Sequence, residues 1–193
     1  MTEIVMLISA YFVAGLTLKT GDDLLDELDK PRLAWFPLVL SGILFGMIMT
    51  QSEWDLVVMT AIVVGVAASG KVDRRQFAGG LAMIVIVLLL RGLPAVTSWL
   101  EWTALLIMLF MAAVLDEKGN DWADAEVSPR ATKFFAYRLT LKASVLLLCI
   151  PWPPLLPSAI ALWFFDLGYE LARYVLRSWA DRRVVEQDYS TRP

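Results

Sequence analysis

Apolar residues in this chain come in long blocks separated by short polar connections, with no strand-like alternation between them. Seven such blocks stand out: residues 4–19, 34–51, 55–70, 77–93, 99–115, 134–150 and 155–178. Several are shorter than the ~20 residues of a perpendicular crossing, so flanking residues complete them or they tilt or re-enter. In the sixth block, Arg138 and Lys142 leave only residues 143–150 wholly apolar. The pattern predicts an all-α, polytopic transmembrane helix bundle of about seven spans. Residues 1–180 then form a single domain, and residues 181–193 a charged cytoplasmic tail expected to fray. Met1-Thr2-Glu3-Ile4-Val5 lacks the basic region of a secretory signal, so the first block is read as a retained helix.

Composition agrees with this pattern. The chain is 58% hydrophobic and 19% charged, with a mean hydropathy of +0.61, outside the range of ordinary soluble domains. With seven crossings, sixteen of the seventeen Lys and Arg residues fall on one side and only Arg91 on the other. By the positive-inside rule that side is cytoplasmic, with the N-terminus outside and the C-terminus inside. The expected location is the cell membrane, as a multi-pass protein. Trp54, Trp99, Trp102 and Trp152 fall at predicted outer ends, and Trp35, Trp122 and Trp179 at inner ones, where amphipathic rings prefer the headgroup level. Gly42-x-x-x-Gly46 and Ala61-x-x-x-Gly65 are small-residue pairs suited to close helix packing.

Charge placement supplies the candidate chemistry. Asp22, Asp23, Asp26, Glu27 and Asp29 put five carboxylates directly after the first block. If the helix continues, Asp22, Asp26 and Asp29 share a face. Two carboxylates about 4 Å apart repel by roughly 4 kcal/mol at an effective dielectric of ~20, so such a cluster needs cations, basic partners or open water. A second acidic stretch runs from Asp116 to Glu126, with Glu117, Asp121 and Asp124 at the same spacing. Both clusters lie on the predicted cytoplasmic side. With no His and one Cys, any metal would be a hard cation such as Mg²⁺. Asp166, Glu170, Arg173 and Arg177 recur along one face of the last block, and Arg138 and Lys142 sit in the sixth. Ionisable groups at such depth pair with one another or face a wet cavity, and Asp166 with Lys142 or Arg138 is the expected pair. Lys71, Arg74 and Arg75 form a basic connection suited to phosphate or to anionic headgroups.

Carboxylates for Mg²⁺, basic side chains for phosphate oxygens and an apolar chamber open to lipid suit chemistry on a lipid-linked diphosphate. The layout resembles the UbiA-type membrane prenyltransferases. Their first aspartate-rich motif is similar to Asp22-Asp23-Leu24-Leu25-Asp26-Glu27-Leu28-Asp29-Lys30-Pro31-Arg32, with one residue deleted and Asp22 in place of Asn. Their second is met by Asp116-Glu117-Lys118-Gly119-Asn120-Asp121, out of register by one. The chain would lack the family's first and last helices, covering about seven of nine. The resemblance implies Mg²⁺ held by Asp22, Asp23, Asp26, Asp29, Asp116 and Asp121. Arg138, Lys142, Lys71 and Arg74 would contact the prenyl diphosphate, and the reaction would be prenyl transfer at the cytoplasmic face. Two other classes remain open: a small transporter or channel using Asp166 and Glu170, and a non-catalytic membrane scaffold. The partner would be a membrane lipid or prenyl diphosphate, with no nucleic acid.

Overall fold

The computed structural model describes residues 2–68, 74–126 and 139–190, with 117, 120, 121, 123–126 and 177–190 described in backbone only. Most of these residues are helical, and no strand occurs among them. Among the described residues seven α-helices follow one another: α1 (Thr2–Asp26), α2 (Pro31–Met49), α3 (Glu53–Ala68), α4 (Arg75–Arg91), α5 (Trp99–Glu126), α6 (Leu139–Leu148) and α7 (Leu156–Ser190). A helix satisfies its backbone donors and acceptors internally, which is what an apolar block needs in lipid. Pro31 opens α2 at a position where a missing N–H costs nothing. The Ser52 hydroxyl caps α3 by accepting the Asp55 N–H at 3.1 Å. A short 3-10 turn at Pro153–Leu155 leads into α7.

Segments Thr2–Asp26, Pro31–Met49, Trp99–Asp116 and Pro153–Leu176 are long and apolar enough to cross a membrane. Helices α3 and α4, of 16 and 17 residues, reach about 24 to 26 Å at 1.5 Å per residue, short of a ~30 Å hydrocarbon core. The outward faces are apolar where a soluble bundle would be charged. Val85, Ile86, Leu89 and Leu90 on α4 are exposed, as are Leu100, Ile107, Met111 and Leu115 on α5. A surface of this kind has lipid as its natural solvent. The protein is a helical membrane protein.

Helix α1 packs between α2 and α7, α2 also meets α3 and α4, α3 meets α5, and α6 sits against α5 and α7. Small residues set the closest approaches. A Cβ added at Gly15 would fall into the Phe165 carbonyl, one at Gly168 into the Phe12 carbonyl, and one at Gly42 into the Gly80 backbone. Around these crossings a core forms from Tyr11, Phe45, Val57, Met59, Leu109, Val145 and Phe165.

Contacts fix helix directions. Tyr11 lies by Ser158 and Lys19 over the Tyr169 ring, so α1 and α7 run the same way. Gln76 bonds the Pro31 carbonyl and Arg91 bonds Thr50, making α2 and α4 parallel. Trp102 bonds the Glu53 carbonyl and Gly65 meets Ala113, making α3 and α5 parallel. Ser41 reaches the Ala14 carbonyl while Gly21 meets Leu38, so α1 and α2 are antiparallel.

The ends of two elements differ from the sequence reading. Helix α1 continues seven residues beyond Lys19 to Asp26, because Leu25 packs with Ala34 and Leu38 of α2. The acidic stretch is therefore largely the end of a helix. That helix stops before Asp29, whose φ of +47° takes it off the face shared by Asp22 and Asp26. At the other terminus α7 runs on to Ser190, so residues 181–190 are helical where fraying was expected.

Candidate functional site

At the end of the bundle where α1 and α5 finish, ionisable groups follow the helix neighbours α1, α7, α6 and α5 in turn. On α1, the Lys19 ammonium lies 2.7 Å from Asp22 Oδ2 and 2.6 Å from Asp23 Oδ1. One cation thus serves two carboxylates at a helix C-terminus, where the macrodipole disfavours negative charge. Asp23 is 1% exposed, and its Oδ2 is buried with no hydrogen-bond partner among the described atoms. Such an atom is costly to leave unpaired.

Tyr169 of α7 links this corner to the next. Its ring lies 5.3 Å from the Lys19 ammonium and 5.5 Å from the Arg173 guanidinium, both within cation–π range. Arg173 also donates to Glu170 at 3.0 Å. One turn nearer the bundle centre, Lys142 of α6 meets Asp166 of α7 at 2.5 Å, with its ammonium 5.2 Å from the Trp163 ring. Lys142 is only 6% exposed, so the pair is a true interhelical ion pair. It is one of the two pairings expected from the depth of these charges.

Asp116 has a different role. Its Oδ1 accepts the Thr140 N–H at 3.0 Å and its Oδ2 the Leu141 N–H at 2.7 Å. It therefore caps the N-terminus of α6 from a neighbouring helix, where a carboxylate is favoured. At 2% exposure, with each oxygen engaged by a backbone donor, Asp116 is poorly placed to hold a metal.

The other expected site residues are scattered. Asp26 is exposed at the end of α1, and Asp29 is exposed in the turn to α2. Asp121 belongs to the last turns of α5, described in backbone only, while Lys71 and Arg138 lie outside the described residues. Arg74 is the exposed N-cap residue of α4. Since Gln76 bonds the Pro31 carbonyl, Arg74 is at the same end of the bundle as the acidic turn. Helices α1 and α5, which bear the two acidic clusters, do not pack against each other. Among the described residues no three acidic or Cys side chains converge as a metal site.

A Mg²⁺ ion delivered with a diphosphate asks for less, since one or two carboxylates suffice when phosphate oxygens fill the remaining positions. The unpartnered Asp23 oxygen, with Asp22 beside it and Asp26 a turn away, fits that smaller demand; Asp116 does not.

At the opposite end, a second buried polar group had no place in the sequence reading. Asp55 of α3, 2% exposed, accepts from the Tyr11 hydroxyl at 2.7 Å and from the Ser52 hydroxyl at 2.6 Å. The Ser52-x-x-Asp55 spacing is a readable capping signature; its junction with Tyr11 is tertiary. The chain matches no family model, no curated protein and no solved structure.

Proposed function

We propose that this is a seven-span protein of the cytoplasmic membrane, N-terminus outside, that handles a prenyl or lipid diphosphate with Mg²⁺ at the cytoplasmic end of α1. The alternating helix directions support seven crossings, and the one-sided distribution of Lys and Arg supports the orientation. The observation that favours cation chemistry is the buried Asp23 carboxylate, which shares Lys19 with Asp22 and has one oxygen with no hydrogen-bond partner among the described residues. In this reading Asp23, Asp22 and Asp26 hold the ion. Arg74, at the start of α4, contacts phosphate oxygens, and the lipid-facing surfaces accommodate the chain. Lys142 is committed to Asp166 and Asp116 to the α6 N-terminus, so neither belongs to this set. Mg²⁺ would offset charge developing on a leaving diphosphate, which makes prenyl transfer the reaction class.

The test is binding of geranylgeranyl diphosphate to the purified protein with and without Mg²⁺. The reading expects Mg²⁺-dependent binding that falls at least about tenfold in Asp23→Asn, on the order of 1.4 kcal/mol, and is unchanged in Asp116→Asn. Equal binding by wild type and Asp23→Asn would sink it.

The buried Lys142–Asp166 pair favours a second reading, a small transporter in which that pair opens to exchange an ion or proton. Glu170, engaged by Arg173, would be the next acceptor toward the cytoplasm. Proteoliposomes showing no ion or proton flux above that of Asp166→Asn would exclude it.

A further inference from the structure

Three carboxylates are buried among the described residues, Asp23, Asp55 and Asp116, and their partners differ in kind. Asp116 faces two backbone N–H groups and Asp23 faces an ammonium; both kinds of partner only donate, so both favour a carboxylate over a carboxylic acid. Asp55 is held by hydroxyls at both oxygens, from Tyr11 on one side and Ser52 on the other. No Lys or Arg pairs with it among the described residues. The Ser158 side chain of α7 lies against the Tyr11 hydroxyl in turn, so four side chains from α1, α3, α7 and the turn before α3 form one continuous polar chain.

A hydroxyl can donate or accept, and that freedom sets this site apart. As a carboxylate, Asp55 accepts from Tyr11 and Ser52. As an acid, it donates to the Tyr11 oxygen, and Tyr11 turns its own proton toward Ser158. One proton enters and none need leave. Every oxygen keeps a partner in both forms, so neither state strands a buried polar group. Ser52 is only half-buried and follows the exposed Gln51, which places the end of the chain at the water-facing rim.

We propose that Asp55 is a proton-binding site loaded from that rim through Ser52, with Tyr11 and Ser158 as the partners that switch hydrogen-bond direction. The proposal does not depend on the diphosphate reading, which concerns the other end of the bundle. The neighbouring ionisable groups are Glu3 at the start of α1, Glu53 held by Thr97, Arg91 on Thr50, Glu101 on Trp152 and Cys149 after α6. Helix α7 contributes none beside Ser158, and the outer end of α2 none.

The test is infrared difference spectroscopy of the whole protein in lipid nanodiscs as pH is stepped reversibly between neutral and acid. A carboxylic-acid C=O band distinct from those of solvated carboxyls is expected to appear on acidification. It should vanish in Asp55→Asn, persist in Asp116→Asn and move in frequency in Tyr11→Phe, which loses one hydrogen bond. Helical circular dichroism checks that each variant folds. If Asp55→Asn does not fold, the Tyr11→Phe frequency shift decides. A band unchanged in Asp55→Asn, one unmoved in Tyr11→Phe, or no such band over the pH range in which the wild type stays folded overturns the proposal.

Discussion

Two aspartates of the same predicted class separate once their partners are known. Asp116 gives up two charge-assisted hydrogen bonds if replaced, and loss of a capping side chain costs about 1 to 2 kcal/mol. Asp116→Ala is therefore expected to lower thermal stability in detergent while leaving Mg²⁺-dependent ligand binding intact. Asp23→Asn should do the reverse, because it removes one of the two carboxylates that share Lys19. Lys142 and Asp166 give a sharper test. Breaking a buried ion pair from one side costs roughly 3 to 5 kcal/mol, whereas replacing both partners with apolar groups of similar volume is close to neutral. Lys142→Met should thus destabilise strongly, and adding Asp166→Leu should restore much of the loss. A restored double variant that also keeps the activity would make the pair a structural lock, while restored stability without activity would give it a working part.

At the scale of the helix, the closest approaches rest on glycine. The Gly15 and Gly168 crossing joins α1 to α7 with no room for a methyl group, since an added Cβ would meet carbonyl oxygen on the opposite helix. Forced overpacking of this kind costs about 1 to 3 kcal/mol. Gly168→Leu is expected to part α1 from α7 and lower the unfolding temperature, and to disturb both the Lys19–Tyr169 contact and the Tyr11–Ser158 contact, which lie on either side of it. By contrast, Gly92 has open space around it but a φ of +80°. A substitution there strains the turn after α4 without touching the core. The small-residue pair Gly42 and Gly46 was visible as a spacing. Its partners, Gly80 on one side and Val87 on the other, belong to α4 and needed the fold.

For the whole molecule, the seven crossings proposed above would put Gln51 and Asp26 on opposite faces of the membrane. With Cys149→Ser as background, Gln51→Cys should react with an impermeant maleimide added outside intact cells, and Asp26→Cys only after the membrane is opened. The converse result would invert the orientation derived from the basic residues.

The seven helices among the described residues were legible because block hydrophobicity in lipid leaves the backbone little choice but helix. Lys142 was likewise legible as a buried charge seeking a carboxylate, since depth alone demands a partner. Which carboxylates are spent, and on what, was not legible. Asp22 and Asp116 look alike along the chain, yet one shares a lysine with Asp23 while the other caps a helix that begins 23 residues later. The sequence by itself determined which segments form apolar helices and where charge must be compensated. Only the tertiary structure decided which partner compensates each charge, because hydrogen bonds and ion pairs act over a few ångströms and depend on which helices become neighbours.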